Sequence, residues 1–312
     1  MELAPIGIIT YSRIIHLRQT IESLRNNDLA TKSELYIFLD GPRPGDEKLV
    51  NTVREYLYTI DGFKKVSITE RKENDRVRNY RDGVNYLFDK YGKIIFLEDD
   101  NIVSPYFLQF MNDGLEFFKE NKKIFSICGY NVPAKFPMGY EYDYYLSRYF
   151  NAWGFATWSD RNHLDVEDIK NAYSELLDDK ALYRKVKKEH PKLAVNLKKI
   201  QENRLKAGDY PIVFHSIKHD LYSVKPIHSL VDNIGHDGSG IHCGISDRFR
   251  NDLNHARTRI NFIEDIEYNQ AMDVIGYKYS HQIFNRKLPE RILRKIKEKI
   301  NEWKNLEYIE KE

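Results

Sequence analysis

The sequence predicts an α/β protein: an open, mostly parallel sheet flanked by helices, then an irregular second lobe, then a C-terminal amphipathic helix. Three observations carry this. Short runs of core-type residues alternate with segments of helical periodicity through the first third of the chain. Those runs have no polar face, as in parallel sheets covered on both sides. After about residue 130 the periodicity gives way to a stretch dense in Tyr, Gly and Pro.

Residues 5–10 read as the first strand. Ile14, Leu17, Ile21 and Leu24 follow at the spacing of an amphipathic helix. "ELYIFLDG" is a second strand, stopped by Gly41 and Pro42. A helix around "DEKLVNTVREYLYTI", a short strand near "KKVSITE" and a helix from Arg81 to Lys90 come next. The strand Ile94 to Leu97 then runs straight into Glu98, Asp99 and Asp100, after which a helical, aromatic segment is expected. In open α/β sheets ligands bind beyond the carboxyl ends of the strands. The three carboxylates therefore belong at the ligand edge, with Thr10, Tyr11 and Arg13 after strand one and Asp40 after strand two.

Further on, "VEDIKNAYSELLDDKALYRKVKKEHPKLAVNLKKIQENRLKAG" reads as helical and charged, and "VFHSIKHDLYSVKPIHSLVDNIGHDGSGIHCG" as short strands with a Gly-rich loop. No internal repeat or low-complexity linker interrupts the chain. The expected organisation is an α/β half over residues 1–130, a second half of the same domain over 131–275, and a basic amphipathic tail over 276–312.

At 312 residues the chain can bury a sizeable core. Its net charge of +2 offers no field suited to nucleic acid, so no nucleic-acid partner is expected. Cys128 and Cys243 are the only cysteines, which leaves no disulfide framework and no thiolate cluster, and a reducing cytoplasm is the expected compartment. "MELAPIGIITYSRII" reads as a strand rather than a signal peptide. No segment approaches the roughly 18 uninterrupted apolar residues of a membrane span.

Three adjacent carboxylates raise one another's pKa unless a cation is present. Mg²⁺ or Mn²⁺ takes one or two protein carboxylates and completes its shell with phosphate oxygens and water. An acidic cluster at a strand end therefore suits a metal–diphosphate site; the alternative is a solvated acidic turn. The chain has no G-x-x-x-x-G-K-[ST] loop and no G-x-G-x-x-G after strand one. It has no serine nucleophile elbow and no H-E-x-x-H. What remains is an open sheet that holds a diphosphate through a metal.

Seven stretches occur in order: "GIITYSR", "YIFLDGPR", "RNYRDGVNYLF", "IIFLEDDNIVSPYFLQFMNDGL", "SICGYNVP", "AWGFATWSDR" and "LVDNIGHDGSGIHC". Together, over about residues 5 to 250, they resemble bacterial nucleotide-sugar glycosyltransferases of the GT-A fold. Within that group they are similar to the branch with an E-D-D metal motif, the N-acetylglucosaminyltransferase I type. The resemblance implies that Asp100 binds a Mn²⁺ or Mg²⁺ ion bridging the donor diphosphate, and that Glu98 and Asp99 hold sugar and ribose hydroxyls. It implies that Asp40 reads the uracil edge and that Thr10, Tyr11 and Arg13 pack on base and ribose. Asn79 falls where the eukaryotic relative has a nucleotide-contacting histidine. An acid between the tryptophan motif and the N-I-G loop serves as catalytic base, and "KAGDYPIVF" supplies Asp209, although the aromatic usual near that acid is replaced by Tyr210-Pro211; a plain Gly-Asp turn at a helix end is the alternative there. Asp220 and Asp237 are the next acids in line. Trp153, Gly154 and Phe155 are expected to wall the sugar pocket, unless the aromatics are core. In the Gly-rich loop His242 is the first choice as metal or phosphate ligand and His236 the second.

The expected function is metal-dependent, inverting transfer of a hexosyl or N-acetylhexosaminyl group. The donor would be a UDP-sugar, such as UDP-GlcNAc or a relative, and the acceptor a hydroxyl on a glycan or lipid-linked glycan in surface polysaccharide biosynthesis. A sugar-nucleotide pyrophosphorylase would need a Gly-rich basic loop after strand one, which "TYSRII" lacks. A non-catalytic glycan-binding protein would need neither the carboxylate triplet nor Asp40. In the tail, Ile292, Leu293, Ile296, Ile300 and Trp303 fall on one helical face with Arg and Lys around it. Such a helix suits peripheral contact with the inner face of an anionic membrane, or docking on protein.

Overall fold

The computed structural model describes residues 2–137, 139–161, 166–205, 207–240, 244–253 and 259–281, with the side chains of 166–168 excepted. His242, Cys243 and the tail from 282 onward lie outside the described residues.

The first half alternates strand and helix: β1 (Ile6–Thr10), α1 (Ile14–Arg25), β2 (Glu34–Leu39), α2 (Glu47–Leu57), β3 (Lys65–Glu70), α3 (Arg76–Tyr91) and β4 (Lys93–Glu98). Leu17, Ile21 and Leu24 of α1 are fully buried, as their spacing requires. Helix α3 starts a turn and a half earlier than its apolar periodicity suggests. The Asp75 side chain accepts the Arg78 N–H at 3.0 Å, and this cap supports a first turn made of polar residues. After the carboxylates the chain forms a short strand, β5 (Asn101–Val103), where a helix was expected to resume, and only then α4 (Phe107–Phe117).

The second half contributes β6 (Ile124–Cys128), β7 (Tyr144–Ser147), β8 (Phe155–Trp158), α5 (Val166–Asp178), α6 (Lys180–Glu189), α7 (Leu193–Gln201), α8 (Asp209–Lys218), β9 (Tyr222–Pro226), β10 (Val231–Asn233) and α9 (Gln270–Ser280). "VFHSIK", expected among short strands, is the body of α8. Pro211 is tolerated there because it lies in the first turn, where its missing N–H has no intrahelical partner. The boundary expected at residue 275 falls inside α9.

Eight strands form one open sheet in the order β3-β2-β1-β4-β8-β6-β9-β7, drawing on both sides of residue 130. The pairs β3–β2, β2–β1, β1–β4 and β6–β9 are parallel, and β4–β8, β8–β6 and β9–β7 antiparallel. The sheet is thus α/β and mostly parallel, flanked by helices, as the sequence predicts. One face packs on α1, α2 and α4 through Leu17, Val53, Leu97 and Met111. The other packs on α3 through Phe38, Phe96, Leu87 and Phe155. A third cluster, with Leu176, Val186, Leu197 and Phe214, joins α5 to α8.

Candidate active site

At the end of β4 the chain turns sharply, and buried neighbours hold the turn. Asn101 accepts the Glu98 N–H at 3.1 Å and donates to Asp100 Oδ1 at 2.9 Å. Thr20 of α1 donates to the Asp99 carbonyl at 3.0 Å. β10 then pairs antiparallel with β5, Asn233 opposite Asn101. Its extension crosses over Asp100, with the Ile234 N–H bonded to the Asp100 carbonyl at 3.0 Å. A Cβ on Gly235 would collide with the Asp100 carboxylate, so glycine lets the loop cross with the acid in this position.

Side chains alternate along β4, and this divides the three acids. Glu98 shares the face of Phe96, toward α3. Asp99 and Asp100 gather on the side of Arg13, whose Nη2 donates to Asp99 Oδ1 and to Asp100 Oδ2, the latter at 2.7 Å. Thr10 donates to Asp99 Oδ2 at 3.1 Å and Asn233 to Asp100 Oδ1 at 3.2 Å. Burial raises the Asp99 carboxyl, partly offset by Arg13. The same two acids hold the Arg13 guanidinium firmly charged against its own desolvation.

Glu98 faces a second group of ionisable residues. Desolvation first, then the charges of Asp100 and Asp209, push its carboxyl up to about 8. Asp209 opens α8 rather than ending a helix. The residue is exposed at the surface, yet crowding protein around the carboxyl desolvates it and pushes it up to about 6 against the charges of Lys225 and Arg76. Tyr80 of α3, packed edge-on against Phe96 at 5.1 Å, lies in the field of both acids. A carboxyl held near neutrality in a cleft suits a general base.

The remaining expected residues sit as follows. The Asp40 carboxylate is 3% exposed and accepts from Asn74 Nδ2 at 2.9 Å and from the backbone N–H of Asp75 at 3.0 Å. Gly41 lies so close to Glu73 that a Cβ would overlap its backbone. Arg71 Nε is 4.0 Å from Asp40 and buried without a hydrogen bond. Tyr11 donates to Asp46 at 2.7 Å and accepts the Arg43 N–H at 2.9 Å. Asn79 is buried and spends its amide on the Phe38 carbonyl at 3.0 Å, so it supports the end of β2 from within. Phe155 is also core: cross-strand from Phe96 and 4.9 Å from the Phe150 ring, it is 3% exposed and does not wall a pocket. Gly154 has φ 67°, which explains glycine there. Trp153 is half-buried, packing edge-on against Tyr130 and His236. Asp220 is committed to Arg148 at 2.6 Å and Lys185 at 2.9 Å, and Asp237 pairs with His16 at 3.0 Å.

The residues around Asp100 fit a hard divalent ion. His236 Nε2 is buried without a hydrogen-bond partner one residue beyond Gly235, and the Asp100 charge acts on its ring. His236, ranked second on sequence, is the histidine of this loop that lies among the described residues. Among the described residues no group of three or more His, Cys, Asp or Glu is arranged to hold a metal ion. Arg76, Lys225 and Asn233 were not singled out from sequence. Asn233 lay inside the "LVDNIGHDGSGIHC" motif, whereas Arg76 and Lys225 carry no local signal. A cavity of about 550 Å³, lined by Phe38, Thr69, Arg71, Asn79, Gly83 and Tyr86, lies between β3 and α3 and touches none of the three carboxylates.

No protein-family model and no curated protein matches the sequence. Among solved structures the chain is similar to S. aureus TarS 1–349, at TM-score 0.40 and 10% identity over 73% of this chain and 59% of that one. The same protein in complex with UDP-GlcNAc matches at TM-score 0.30 and 14% identity over 44% and 37% of the two chains. The mannosyltransferase PcManGT from Pyrobaculum calidifontis, in complex with GDP-Man and Mn²⁺, matches at TM-score 0.40 and 10% identity over 68% of each chain. The chain spans between 25% and 59% of the TarS chains it matches.

Proposed function

We propose that this protein is a metal-dependent glycosyltransferase of GT-A type that moves a sugar from a nucleotide sugar to a hydroxyl group. One observation carries the proposal: the acids at the end of β4 are split, Asp99 and Asp100 toward Arg13 and Gly235, Glu98 toward Asp209. That gives a site for a metal-bound diphosphate beside a site for proton removal. Asp100, with His236, would hold Mn²⁺ or Mg²⁺, which when bound neutralises charge on the departing diphosphate. Asp209 would take the proton of the acceptor hydroxyl, with Lys225 and Arg76 keeping it ionised near neutral pH.

The finer assignments rest on the sequence resemblance. They are a UDP-sugar donor such as UDP-GlcNAc, transfer with inversion, a glycan or lipid-linked acceptor, and a place in surface polysaccharide biosynthesis. Asp40 with Arg71 would read the base once the Asn74–Asp75 loop yields. No helix among the described residues is long and apolar enough to cross a membrane. Peripheral contact would come from the tail, whose test is co-sedimentation with anionic vesicles that weakens with salt and is lost on deleting residues 287–312. The decisive experiment for the function is nucleotide release over a donor panel with Mn²⁺. Turnover with one UDP-sugar, lost in chelator and restored by Mn²⁺, supports the proposal; no turnover of any donor, or full turnover in chelator, rejects it.

A further inference from the structure

The four carboxylate oxygens of Asp99 and Asp100 are not equivalent. Asp99 Oδ2 takes the Thr10 hydroxyl at 3.1 Å, and Asp100 Oδ1 takes the amides of Asn101 at 2.9 Å and Asn233 at 3.2 Å. The other two, Asp99 Oδ1 and Asp100 Oδ2, are bridged by the single nitrogen Nη2 of Arg13. Neutral donors thus orient each carboxylate, and the two oxygens left for a cation are the ones the guanidinium holds. Gly235 closes the site above: a Cβ there would strike Asp100 Oδ2 and come within 3.1 Å of Arg13 Nη1. The backbone of Arg13 is fixed, its carbonyl accepting the Leu17 N–H at 3.0 Å at the start of α1. Its side chain, 23% exposed, makes no other hydrogen bond or ion pair among the described residues.

A divalent ion and the guanidinium compete for those two oxygens, because two cations held so close together repel. We propose that Arg13 is a built-in competitor for the divalent cation, which makes cation binding depend on a phosphate-bearing ligand. Arg13 leaves the pair readily only when diphosphate oxygens offer it an equivalent charge-assisted partner. Cation and nucleoside diphosphate then bind with positive coupling, and the coupling is reciprocal. This rests on the proposed metal site and adds the residue that controls its occupancy.

The test is Mn²⁺ affinity, measured by calorimetry and by the electron paramagnetic resonance signal of free Mn²⁺, with and without UDP. It needs no acceptor and no turnover. Wild type should bind Mn²⁺ weakly alone and more tightly with UDP. Arg13→Gln should bind Mn²⁺ alone at least about tenfold more tightly, the effect of losing roughly one charge-assisted competitor, and should show less enhancement by UDP. Arg13→Lys, which keeps the charge on a shorter, more strongly hydrated head, should fall between them, and it carries the test if Arg13→Gln melts prematurely. Asp100→Asn should remove binding in every background. If Asp100-dependent binding is present but Arg13→Gln gains nothing, the competitor role is wrong and the metal site stands. If no variant binds Mn²⁺ even with UDP, the metal site is wrong and the competitor role falls with it.

Discussion

Asn233 donates its side-chain amide to Asp100 Oδ1 at 3.2 Å, across 133 residues of sequence. The strand that carries it is paired to the one that follows Asp100, so the loop "NIGHDG" and the acid form one structural unit. Asp100→Asn should abolish transfer and Mn²⁺ binding without lowering the melting temperature by more than a few degrees, because an amide at 100 keeps an oxygen for Asn101 and Asn233 and Arg13 keeps Asp99. Asn233→Ala removes one of the two amides on Asp100 Oδ1, leaving that of Asn101 and the acid in place. It should weaken Mn²⁺ binding about tenfold, within the range reported for supports of metal ligands. Wild-type affinity in Asn233→Ala would show that the loop is only a cover.

Gly235→Ala is the smallest change that fills the site. Its Cβ would meet the Asp100 carboxylate, so either the loop lifts or the acid turns away. Donor affinity by calorimetry should fall by more than about tenfold, while far-ultraviolet circular dichroism stays unchanged. Unaltered donor binding would place the diphosphate elsewhere.

Far from the cleft, Asp273 of α9 ties the helix to the sheet edge. It is 4% exposed and accepts from Ser147 Oγ at 2.5 Å, from the Arg148 N–H at 2.8 Å and from Tyr268 at 3.0 Å. Removing the carboxylate strands two buried donors, each costing about 1–3 kcal/mol if it finds no water, and the part-buried Tyr268 hydroxyl. Asp273→Ala should therefore lose at least about 2 kcal/mol in urea unfolding, and Ser147→Ala about 1. Equal and negligible losses in both would mean that α9 is not anchored through this acid.

The fold of the first half was legible because its elements bury by local rule. Leu17, Ile21 and Leu24 sit three and four apart, and Ile94 to Leu97 have no polar member. The first turn of α3 was hidden because Arg76, Arg78 and Asn79 carry no apolar period, and the Asp75 cap alone starts it. The acids at the end of β4 were visible as a cluster, but their division was not. Arg13 is 86 residues from Asp99, and Glu98 meets Asp209 only because β4 and the start of α8 converge. Phe155 shows the same limit: an aromatic in an aromatic stretch becomes core or wall according to its strand partners, here Phe96 and Cys128.

Asp209 offers a test in which rate and stability move in opposite directions. Its carboxyl is pushed from 3.8 up to about 6, chiefly by desolvation. A general base acts ionised, so kcat/KM should rise with pH through about 6, and Asp209→Asn should lose at least roughly a hundredfold in turnover with donor binding unchanged. For stability the sign is reversed. A folded-state pKa raised above the unfolded value stabilises the fold fully below about pH 3.8, and that contribution is lost as pH rises through about 6. Near neutral pH the ionised, desolvated carboxylate is therefore destabilising. Asp209→Asn should melt higher than wild type at about pH 7.5, and the gap should close below about pH 4. A mutant that is slower but melts lower at neutral pH would show Asp209 to be a structural acid. A mutant with near-normal turnover would leave Glu98 as the acid to test next, since Asp220 is held in ion pairs and Asp237 accepts from Ser239 beside His16.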